Sequence, residues 1–255
     1  MSDSPVAIVT GGAQGIGAAI CIELLKKGYR VCVADIQELK AEEFARDQQK
    51  MYGEGNVTAI RCDVSKESDY SNLFEKTLGK FKRIDVLVNN AGTILESDPR
   101  KCLEVNLLGP LTGCHMALKY MGKSKGGVGG SVINTASVLA FLPCPEMPAY
   151  VASKHGIVAL TRSFGIPFHY DKDEIVFAAL CPFIVDTELL KTENKTLDPA
   201  MDLSQRIVRM SPEYTAKGVL KILEDKINGS SLAVLPDGYH YIEFQDIRKY
   251  LMHQK

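Results

Sequence analysis

The chain has 255 residues, of which 45% are hydrophobic and 24% are charged, and its 30 basic and 31 acidic side chains leave a formal net charge of −1. This balance is ordinary for a globular domain and excludes the basic surface of a typical nucleic-acid-binding protein. Apolar runs stay far below the roughly 20 residues that span a bilayer, and the start of the chain does not resemble a signal peptide. We therefore expect a cytoplasmic protein without membrane insertion or nucleic-acid partner.

Short apolar runs alternate with longer amphipathic runs along the chain, which is typical of successive βαβ units. Continuous apolar strands separated by helices predict a parallel sheet covered on both faces. The expected fold is a single α/β domain over residues 1–255, a doubly wound parallel sheet of about seven strands. Strands are predicted at 6–10, 30–35, 56–64, 84–92, 130–137, 174–182 and 231–238, and helices at 15–28, 38–53, 67–81, 98–121, from Tyr150 to about Phe164, and at 212–226.

A glycine-rich turn, TGGAQGIG, joins the first predicted strand to the first helix. Its glycines let the main chain approach a pyrophosphate, and the helix N-terminus stabilises the negative charge. A tight turn without a ligand is the alternative. The residues predicted to contact a dinucleotide here are Gly11, Gln14, Gly15, Ile16 and Gly17.

Asp35 ends the second predicted strand, where its carboxylate would meet the adenosine ribose hydroxyls of a dinucleotide. A cap on the strand end is the alternative. A ribose 2′-phosphate would be repelled here, and neither Gln14 nor Ile36 supplies a compensating cation, so NAD is favoured over NADP with Ile36 as a further contact.

Two more strand ends carry candidate cofactor contacts. Cys62, Asp63 and Val64 end the third predicted strand, where Asp63 could accept a hydrogen bond from an adenine amino group. The NNAG segment ends the fourth strand, beside the point where ligands bind in such sheets. A simple turn-forming role remains open for both segments. The residues predicted to bind in the second segment are Asn90, Ala91 and Gly92.

Tyr150 and Lys154 are four residues apart, so a helix would present both side chains on one face. A free tyrosine has a pKa of about 10, and a neighbouring ammonium with a cationic nicotinamide would favour the phenolate. Tyr150 could then accept a hydroxyl proton while a hydride leaves the same carbon, and Ser137 would hold the substrate oxygen. Lys154 could also bond the nicotinamide ribose. A surface helix face without chemistry is the alternative.

Asn106 lies among leucines inside the predicted helix 98–121, where asparagine is poorly suited by propensity. It indicates a bend, or a water that links Lys154 to solvent. An asparagine bonded within its own helix is the alternative. The predicted catalytic residues are Asn106, Ser137, Tyr150 and Lys154.

The order and spacing of TGGAQGIG, NNAG, Asn106, Ser137 and the Tyr150–Lys154 pair resemble the short-chain dehydrogenase/reductase family over nearly the whole chain. The resemblance implies a Rossmann-type fold and NAD-dependent oxidation of a secondary alcohol, on a lipid-like molecule such as a hydroxy fatty acid, prostaglandin, terpenoid or steroid. It also implies a homodimer or homotetramer joined through the helices that carry Asn106 and Tyr150. The residues it implies near the nicotinamide are Pro182, Ile184, Val185 and Thr187.

The chain departs from its relatives beside the expected substrate. Met147 stands where the prostaglandin-oxidising members of the family have a glutamine that orients the substrate hydroxyl, and methionine cannot supply that hydrogen bond. Phe183 replaces a glycine, so it would crowd the cofactor or wall the pocket. We expect a substrate lid over residues 183–210 and an apolar wall, which favours a lipid-like alcohol over a sugar. The predicted wall residues are Leu139, Phe141, Leu142, Met147, Phe183 and Leu189, and the predicted substrate contacts are Ser137, Met147, Tyr150 and Phe183.

Two other functions remain open, a carbonyl reductase of the same fold and a low-turnover NAD-binding scaffold or redox sensor. The five histidines show no metal-ligand spacing, so we expect no metal. The seven cysteines are odd in number and form no C-x-x-C pair, which predicts reduced thiols.

Overall fold

A computed structural model describes residues 4–191 and 208–245. In these residues eight strands form one sheet in the order β3-β2-β1-β4-β5-β6-β7-β8, in which all neighbours are parallel except the antiparallel pair β7 and β8. The strands are β1 Val6–Thr10, β2 Arg30–Asp35, β3 Val57–Arg61, β4 Val86–Asn89, β5 Gly130–Thr135, β6 Ile175–Pro182, β7 Ser231–Leu235 and β8 Gly238–Tyr241.

Helices cover both faces of the sheet. They are α1 Gly15–Lys26, α2 Glu38–Tyr52, α3 Glu67–Phe81, α4 Pro99–Leu103, α5 Gly109–Tyr120, α6 Pro148–Phe164, α7 Pro167–Asp173, α8 Glu188–Lys191 and α9 Pro212–Asp225. A π-helical turn, Glu104–Leu108, joins α4 to α5, and short 3-10 turns cover Lys123–Lys125 and Val138–Ala140.

Alternation along the central strand β1 separates two apolar layers. Ala7 and Val9 are buried with residues of α1, α2 and α9, whereas Val6 and Ile8 are buried with residues of α3 and α5. Burying a large apolar side chain such as Ile8 contributes about 1.5–3 kcal/mol. The two layers hold the sheet rigid from both faces, so its carboxyl edge forms a fixed platform.

Strand β1 lies between β2 and β4. Strands β2 and β3 extend the sheet on one side of β1, and β4 to β8 extend it on the other side. This reversal of strand order opens a crevice at the carboxyl ends of β1 and β4, where sheets of this kind bind their ligands. The doubly wound parallel sheet predicted from the sequence is confirmed, and its carboxyl edge is the place to look for a site.

Several strands are shorter than predicted, and the difference moves candidate residues into loops. The strand predicted at 56–64 ends at Arg61 and the one predicted at 84–92 covers only Val86–Asn89, because each lasts only while its neighbour offers partners. The strand predicted at 130–137 likewise ends at Thr135. Asp63, Asn90 and Ser137 therefore lie beyond strand ends, at the carboxyl edge.

The helix predicted to start at Tyr150 begins at Pro148, since proline at the first helical position is favourable. It ends at Phe164 as predicted. A further helix, α7, follows it and was not predicted.

The last strand predicted at 231–238 is two strands. Strand β7 ends at Leu235, and Gly238 already belongs to β8. The sequence Pro236-Asp237-Gly238 between apolar runs is itself a hairpin signal, so the eighth strand could have been read from the sequence.

All seven cysteines are free thiols, six of them buried and Cys144 partly exposed. This agrees with the reduced cysteines expected from the sequence. Within residues 4–191 and 208–245, each helix is too short or too polar to cross a membrane.

Candidate active site

The glycine turn between β1 and α1 leaves room where side chains would block it. Gly15 has φ +55°, in the left-handed region that favours glycine. A β-carbon on Gly17 would overlap the carbonyl oxygen of Gly11 and lie 2.7 Å from the Asn90 amide nitrogen. The turn thus lets the main chain and the N-terminus of α1 face the crevice directly, as a pyrophosphate requires.

The Asn90–Gly92 segment braces this turn. The Asn90 amide nitrogen donates to the carbonyl oxygens of Thr10 at 3.0 Å and Gly11 at 3.2 Å. The Thr10 hydroxyl accepts from the backbone N–H of Asn90 and of Ala91. The turn-forming role that the sequence left open is therefore present, and the cofactor contacts of these residues remain predictions.

Asp35 is buried at the end of β2 and holds two backbone donors. Its carboxylate accepts from the N–H of Ala13 at 3.1 Å and from that of Gln37 at 3.0 Å. It therefore caps the strand end, as the alternative proposed, and also supports the glycine turn. Each carboxylate oxygen has a second lone pair that a ribose hydroxyl could use.

One cation near the turn was missed from the sequence. The Lys40 ammonium donates to the Gln14 side-chain oxygen at 2.6 Å, so α2 brings a positive charge to the turn even though Gln14 and Ile36 are neutral. The sequence could have indicated Lys40, because it lies in the first turn of the helix that follows Asp35.

Asp63 lies just beyond β3 between the buried Cys62 and Val64. Its carboxylate accepts from the backbone N–H of Ser65 at 3.1 Å and from the Ser65 hydroxyl at 2.6 Å. Burial works to raise the pKa of Asp63, but these hydrogen bonds outweigh it and the pKa is lowered. Asp63 is thus an ionised acceptor at the edge where an adenine was predicted.

Ser137, Tyr150 and Lys154 come together as the sequence suggested. Helix α6 presents Tyr150 and Lys154 on one face, with the Lys154 nitrogen 5.4 Å from the centre of the Tyr150 ring. The Lys154 ammonium donates to the carbonyl oxygen of Thr135 at 2.8 Å, and the Ser137 hydroxyl lies near enough to Tyr150 to lower its pKa. All three side chains are buried.

Without a bound cofactor, burial opposes charge on both Tyr150 and Lys154. Burial raises the pKa of Tyr150 to about 12, against the lowering effect of the Ser137 hydrogen bond, and burial lowers the pKa of Lys154 to about 8. Burial disfavours the charged form of both groups, so the protein alone does not favour the phenolate. The expected shift needs a further positive charge in the crevice, such as an oxidised nicotinamide ring.

Asn106 lies in the π-helical turn that interrupts the helix predicted over 98–121. Its side-chain oxygen accepts from the N–H of Thr93 at 2.8 Å, and its nitrogen donates to the Thr93 carbonyl at 2.7 Å and to the Ser153 hydroxyl at 3.2 Å. The amide is thus bonded to other segments, and its nitrogen also donates to the sulfur of Cys102, four residues earlier in the same helical stretch, at 3.4 Å. The bonding within the helix that the sequence left open is therefore present as well. The water link to Lys154 remains a prediction.

An apolar cluster surrounds Tyr150. Buried Ile94 and Cys102 contact it, and three predicted wall residues, Leu139, Met147 and Leu189, pack against the same cluster. These residues offer an apolar surface next to the tyrosine.

The structure does not bring the other predicted wall residues into this cluster. Phe183 packs against the layer that contains α1 and α9, and its N–H donates to the Val234 carbonyl at 3.0 Å. Phe141 packs near Phe244, and Leu142 is exposed.

The segment after β6 lies over the glycine turn. A β-carbon on Gly15 would be 3.2 Å from the Thr187 methyl group. The Pro182 carbonyl accepts a long hydrogen bond, 3.5 Å, from the Ser137 hydroxyl. Pro182 and Thr187 thus connect the two halves of the crevice, and their nicotinamide contacts remain predictions.

The two ends of the predicted lid are joined. Met210 donates its N–H to the Ile184 carbonyl and accepts from the N–H of Asp186, and Val185 forms a parallel bridge with it. Residues 192–207 of the predicted lid lie outside the described residues.

A dinucleotide fits the residues along this edge. The glycine turn is a cradle that a β-carbon would fill. The Thr135 hydroxyl, at the end of β5 beside the Lys154 contact, is buried and has no hydrogen-bond partner among the described residues.

The four histidines within the described residues show no metal arrangement. In the part of the chain that the structure describes, no group of three His, Cys, Asp or Glu side chains could hold a metal ion. His155 follows Lys154 but is exposed and contacts the Val151 carbonyl. That the protein needs no metal stays a prediction.

Replacing Lys154 with methionine is expected to remove a pH-dependent cost of folding. The pKa of Lys154 is about 8 in the folded chain and about 10.4 in an unfolded one. Between these values the unfolded state binds more protons, so the free energy of unfolding rises with pH. We compare urea unfolding of the two proteins without cofactor. Between about pH 7 and about pH 9.5, the free energy of unfolding of the unsubstituted chain should rise by about 2 kcal/mol relative to that of Lys154→Met.

The exposed Lys217 provides the control for this experiment. Lys217→Met should differ from the unsubstituted chain by the same amount at both pH values. A pH-independent difference for Lys154→Met would contradict the effect of burial.

Comparison with known proteins gives a consistent result. A family model described as short chain dehydrogenase matches residues 5–198. The chain is 33% identical over 250 residues to 15-hydroxyprostaglandin dehydrogenase [NAD(+)] of Bos taurus, covering 94% of each protein. It is 27% identical over 232 residues to alcohol dehydrogenase 2 of Ceratitis cosyra, covering 87% of this chain and 88% of the relative.

A solved structure shares the fold. The crystal structure of a short chain dehydrogenase/reductase from Burkholderia phymatum in complex with NAD superposes with a TM-score of 0.81 at 23% identity. The match covers 92% of this chain and 90% of that one.

Proposed function

Because the chain belongs to the short chain dehydrogenase family, we propose that it is an NAD-dependent oxidoreductase that oxidises a secondary alcohol to a ketone. The observation that carries the proposal is the buried group of Ser137, Tyr150 and Lys154 next to the glycine turn at one edge of the sheet. Relatives named as NAD-dependent and alcohol dehydrogenases support it.

The residues of the chain would divide the work as follows. NAD supplies the hydride acceptor when bound. Tyr150, as the phenolate, would take the hydroxyl proton of the alcohol as the hydride leaves its carbon. Ser137 would hold the substrate oxygen, and Lys154 would supply positive potential from a position fixed by its bond to Thr135. Asn106 would place the water that connects Lys154 to solvent.

Cofactor choice should follow the charges beside the ribose. The buried Asp35 carboxylate would repel a 2′-phosphate. Lys40 is the nearby cation that could offset this repulsion, but it is exposed and already bonded to Gln14. A buried carboxylate acts more strongly than an exposed ammonium, because solvent screens the latter, so we propose NAD over NADP.

The substrate class follows from the apolar cluster around Tyr150. Leu139, Met147 and Leu189 pack there, and hydrophobic walls of this kind bury hydrocarbon rather than hydroxylated surface. We therefore propose a lipid-like secondary alcohol, such as a hydroxy fatty acid, prostaglandin, terpenoid or steroid. The named prostaglandin dehydrogenases among the relatives support this class.

A panel of secondary alcohols tested with both nicotinamide cofactors checks these proposals. Apolar alcohols with NAD should give kcat/KM at least about tenfold above polyols, and NAD should exceed NADP by a similar factor, each tenfold step being about 1.4 kcal/mol. Oxidation of polyols alone would reject the lipid-like substrate. Tight NADH binding without turnover of any alcohol or ketone would favour a scaffold or redox sensor instead.

One observation favours carbonyl reduction as a second candidate. A pKa of about 12 keeps Tyr150 protonated at neutral pH, which is the state that protonates a carbonyl oxygen. Ketones should therefore be tested with NADH in the same panel, and a much larger kcat/KM in that direction would assign the reductase role.

Assembly into a homodimer or homotetramer stays a prediction. Leu108, at the end of the π-helical turn, is half exposed on the outer side of the helices expected to join copies. Light scattering of the purified chain measures the number of copies.

A further inference from the structure

Glu96 is a buried carboxylate that the proposed reaction does not use. It lies in the loop between β4 and α4 and is only 7% exposed. One of its oxygens accepts from the backbone N–H of Tyr150 at 2.8 Å, and the other accepts from that of Ala149 at 3.0 Å. Both partners belong to the first turn of α6, so Glu96 contacts the catalytic helix from another segment of the chain.

The first turn of α6 has no other cap. Pro148 occupies the first helical position and lacks an N–H, and Met147 makes no side-chain cap. The first bond within the helix runs from the N–H of Val151 to Met147. The N–H groups of Ala149 and Tyr150 would therefore lack partners without Glu96, whose negative charge also suits the positive end of the helix.

The same loop also holds the carbonyl side of Tyr150. The Asn106 amide bonds both backbone groups of Thr93, three residues before Glu96, and donates to the Ser153 hydroxyl. That hydroxyl donates to the Tyr150 carbonyl at 2.6 Å. The N–H and the C=O of the catalytic tyrosine are thus both tied to the loop that follows the Asn90–Gly92 segment.

We propose that Glu96 is a positioning residue, which fixes the first turn of α6 so that the Tyr150 hydroxyl stays aligned with Ser137. The proposal rests on the proposed oxidoreductase function, in which these two hydroxyls meet the same substrate oxygen. Both Glu96 oxygens accept from the helix backbone, so in this role Glu96 acts through Tyr150. Its loss should therefore change kcat and leave the KM for NAD nearly unaltered.

Two variants measure this role. Glu96→Gln keeps the shape and one acceptor oxygen but loses the charge, and Glu96→Ala loses both bonds. We expect kcat to fall about tenfold for glutamine and about a hundredfold for alanine, the loss associated with misplacing a reacting group by about 1 Å. The KM for NAD should stay within about twofold. The alkaline midpoint of kcat should move to higher pH, because a Tyr150 displaced from Ser137 loses the effect that lowers its pKa.

Hydrogen exchange gives a readout that does not depend on activity. Backbone amide exchange in the segment 147–154 of the intact protein should be about tenfold faster in Glu96→Gln than in the unsubstituted chain. Exchange in the strands of the sheet should be unchanged. Glu43→Gln, an exposed carboxylate on α2, serves as the matched control and should alter neither exchange nor kcat.

The outcomes are distinct. Unchanged exchange at residues 147–154, or unchanged kcat and pH midpoint in both Glu96 variants, would overturn the positioning role. Equal losses of kcat and NAD affinity would also overturn it, since they would indicate a general structural defect. If the unsubstituted chain turns over no substrate, the oxidoreductase proposal fails while the exchange result still decides whether Glu96 holds the helix.

Discussion

Replacing Tyr150 with phenylalanine is expected to lower kcat by about 10²–10⁴-fold, the usual contribution of a general acid or base. The substitution removes one hydroxyl and leaves the ring among Ile94 and Cys102, so the fold should be retained. Binding of NADH, measured by its fluorescence on titration, should change by less than about threefold. Turnover is measured with the best alcohol from the panel.

Tyr120→Phe is the matched control for this substitution. This substitution also removes a hydrogen-bonded hydroxyl, because the Tyr120 hydroxyl donates to the Glu75 carboxylate on the protein surface. Its kcat should equal that of the unsubstituted chain. A Tyr150→Phe enzyme with kcat within about threefold of normal would show that another group moves the proton.

Replacing Gly17 with alanine is expected to abolish cofactor binding at ordinary concentrations. The added β-carbon would overlap the Gly11 carbonyl oxygen and crowd the Asn90 amide, so the turn must shift away from the geometry that a pyrophosphate needs. Overpacking of this kind costs about 1–3 kcal/mol of stability. We expect NADH affinity to fall at least about a hundredfold by fluorescence titration, with urea unfolding recording the smaller loss of stability.

Gly79→Ala provides the contrast. A β-carbon there meets nothing within 4 Å, and Gly79 lies inside α3. Alanine should raise stability by about 0.5–1 kcal/mol and leave NADH binding unchanged. Equal NADH affinity in Gly17→Ala and the unsubstituted chain would mean that the dinucleotide does not use this turn.

The parts of the site that follow local rules could be predicted from the sequence. A spacing of four residues on a helix brings Tyr150 and Lys154 together, and strand ends of a parallel sheet collect Asp35, Asn90 and Ser137 at one edge. The parallel sheet itself follows from alternating strands and helices. These inferences need only chain periodicity, and the structure agrees with the fold they predict.

The rest depends on contacts between distant segments or on burial. Glu96 acquires its role from a residue 53 positions away, and a single sequence carries no signal for such a pair. Lys40 bonds a residue 26 positions away, and only its place in the helix after Asp35 indicated it. The raised pKa of Tyr150 in the chain without cofactor could not be read from the sequence either, because a four-residue spacing reports a neighbouring charge but not the loss of solvent around both groups. Desolvation becomes visible only when the packed structure is known.

The burial of six thiols leaves Cys144 as the natural attachment point for a spectroscopic reporter. Alkylation requires a thiolate that solvent can reach, and burial raises the pKa of Cys114, for example, to about 12. Cys144 also reacts slowly, since partial burial and its bond to Glu146 raise its pKa. A maleimide dye would nevertheless label the Cys144 sulfur first. Cys144 lies in the connection between Ser137 and α6, so the emission of the dye would report ligand entry beside Tyr150.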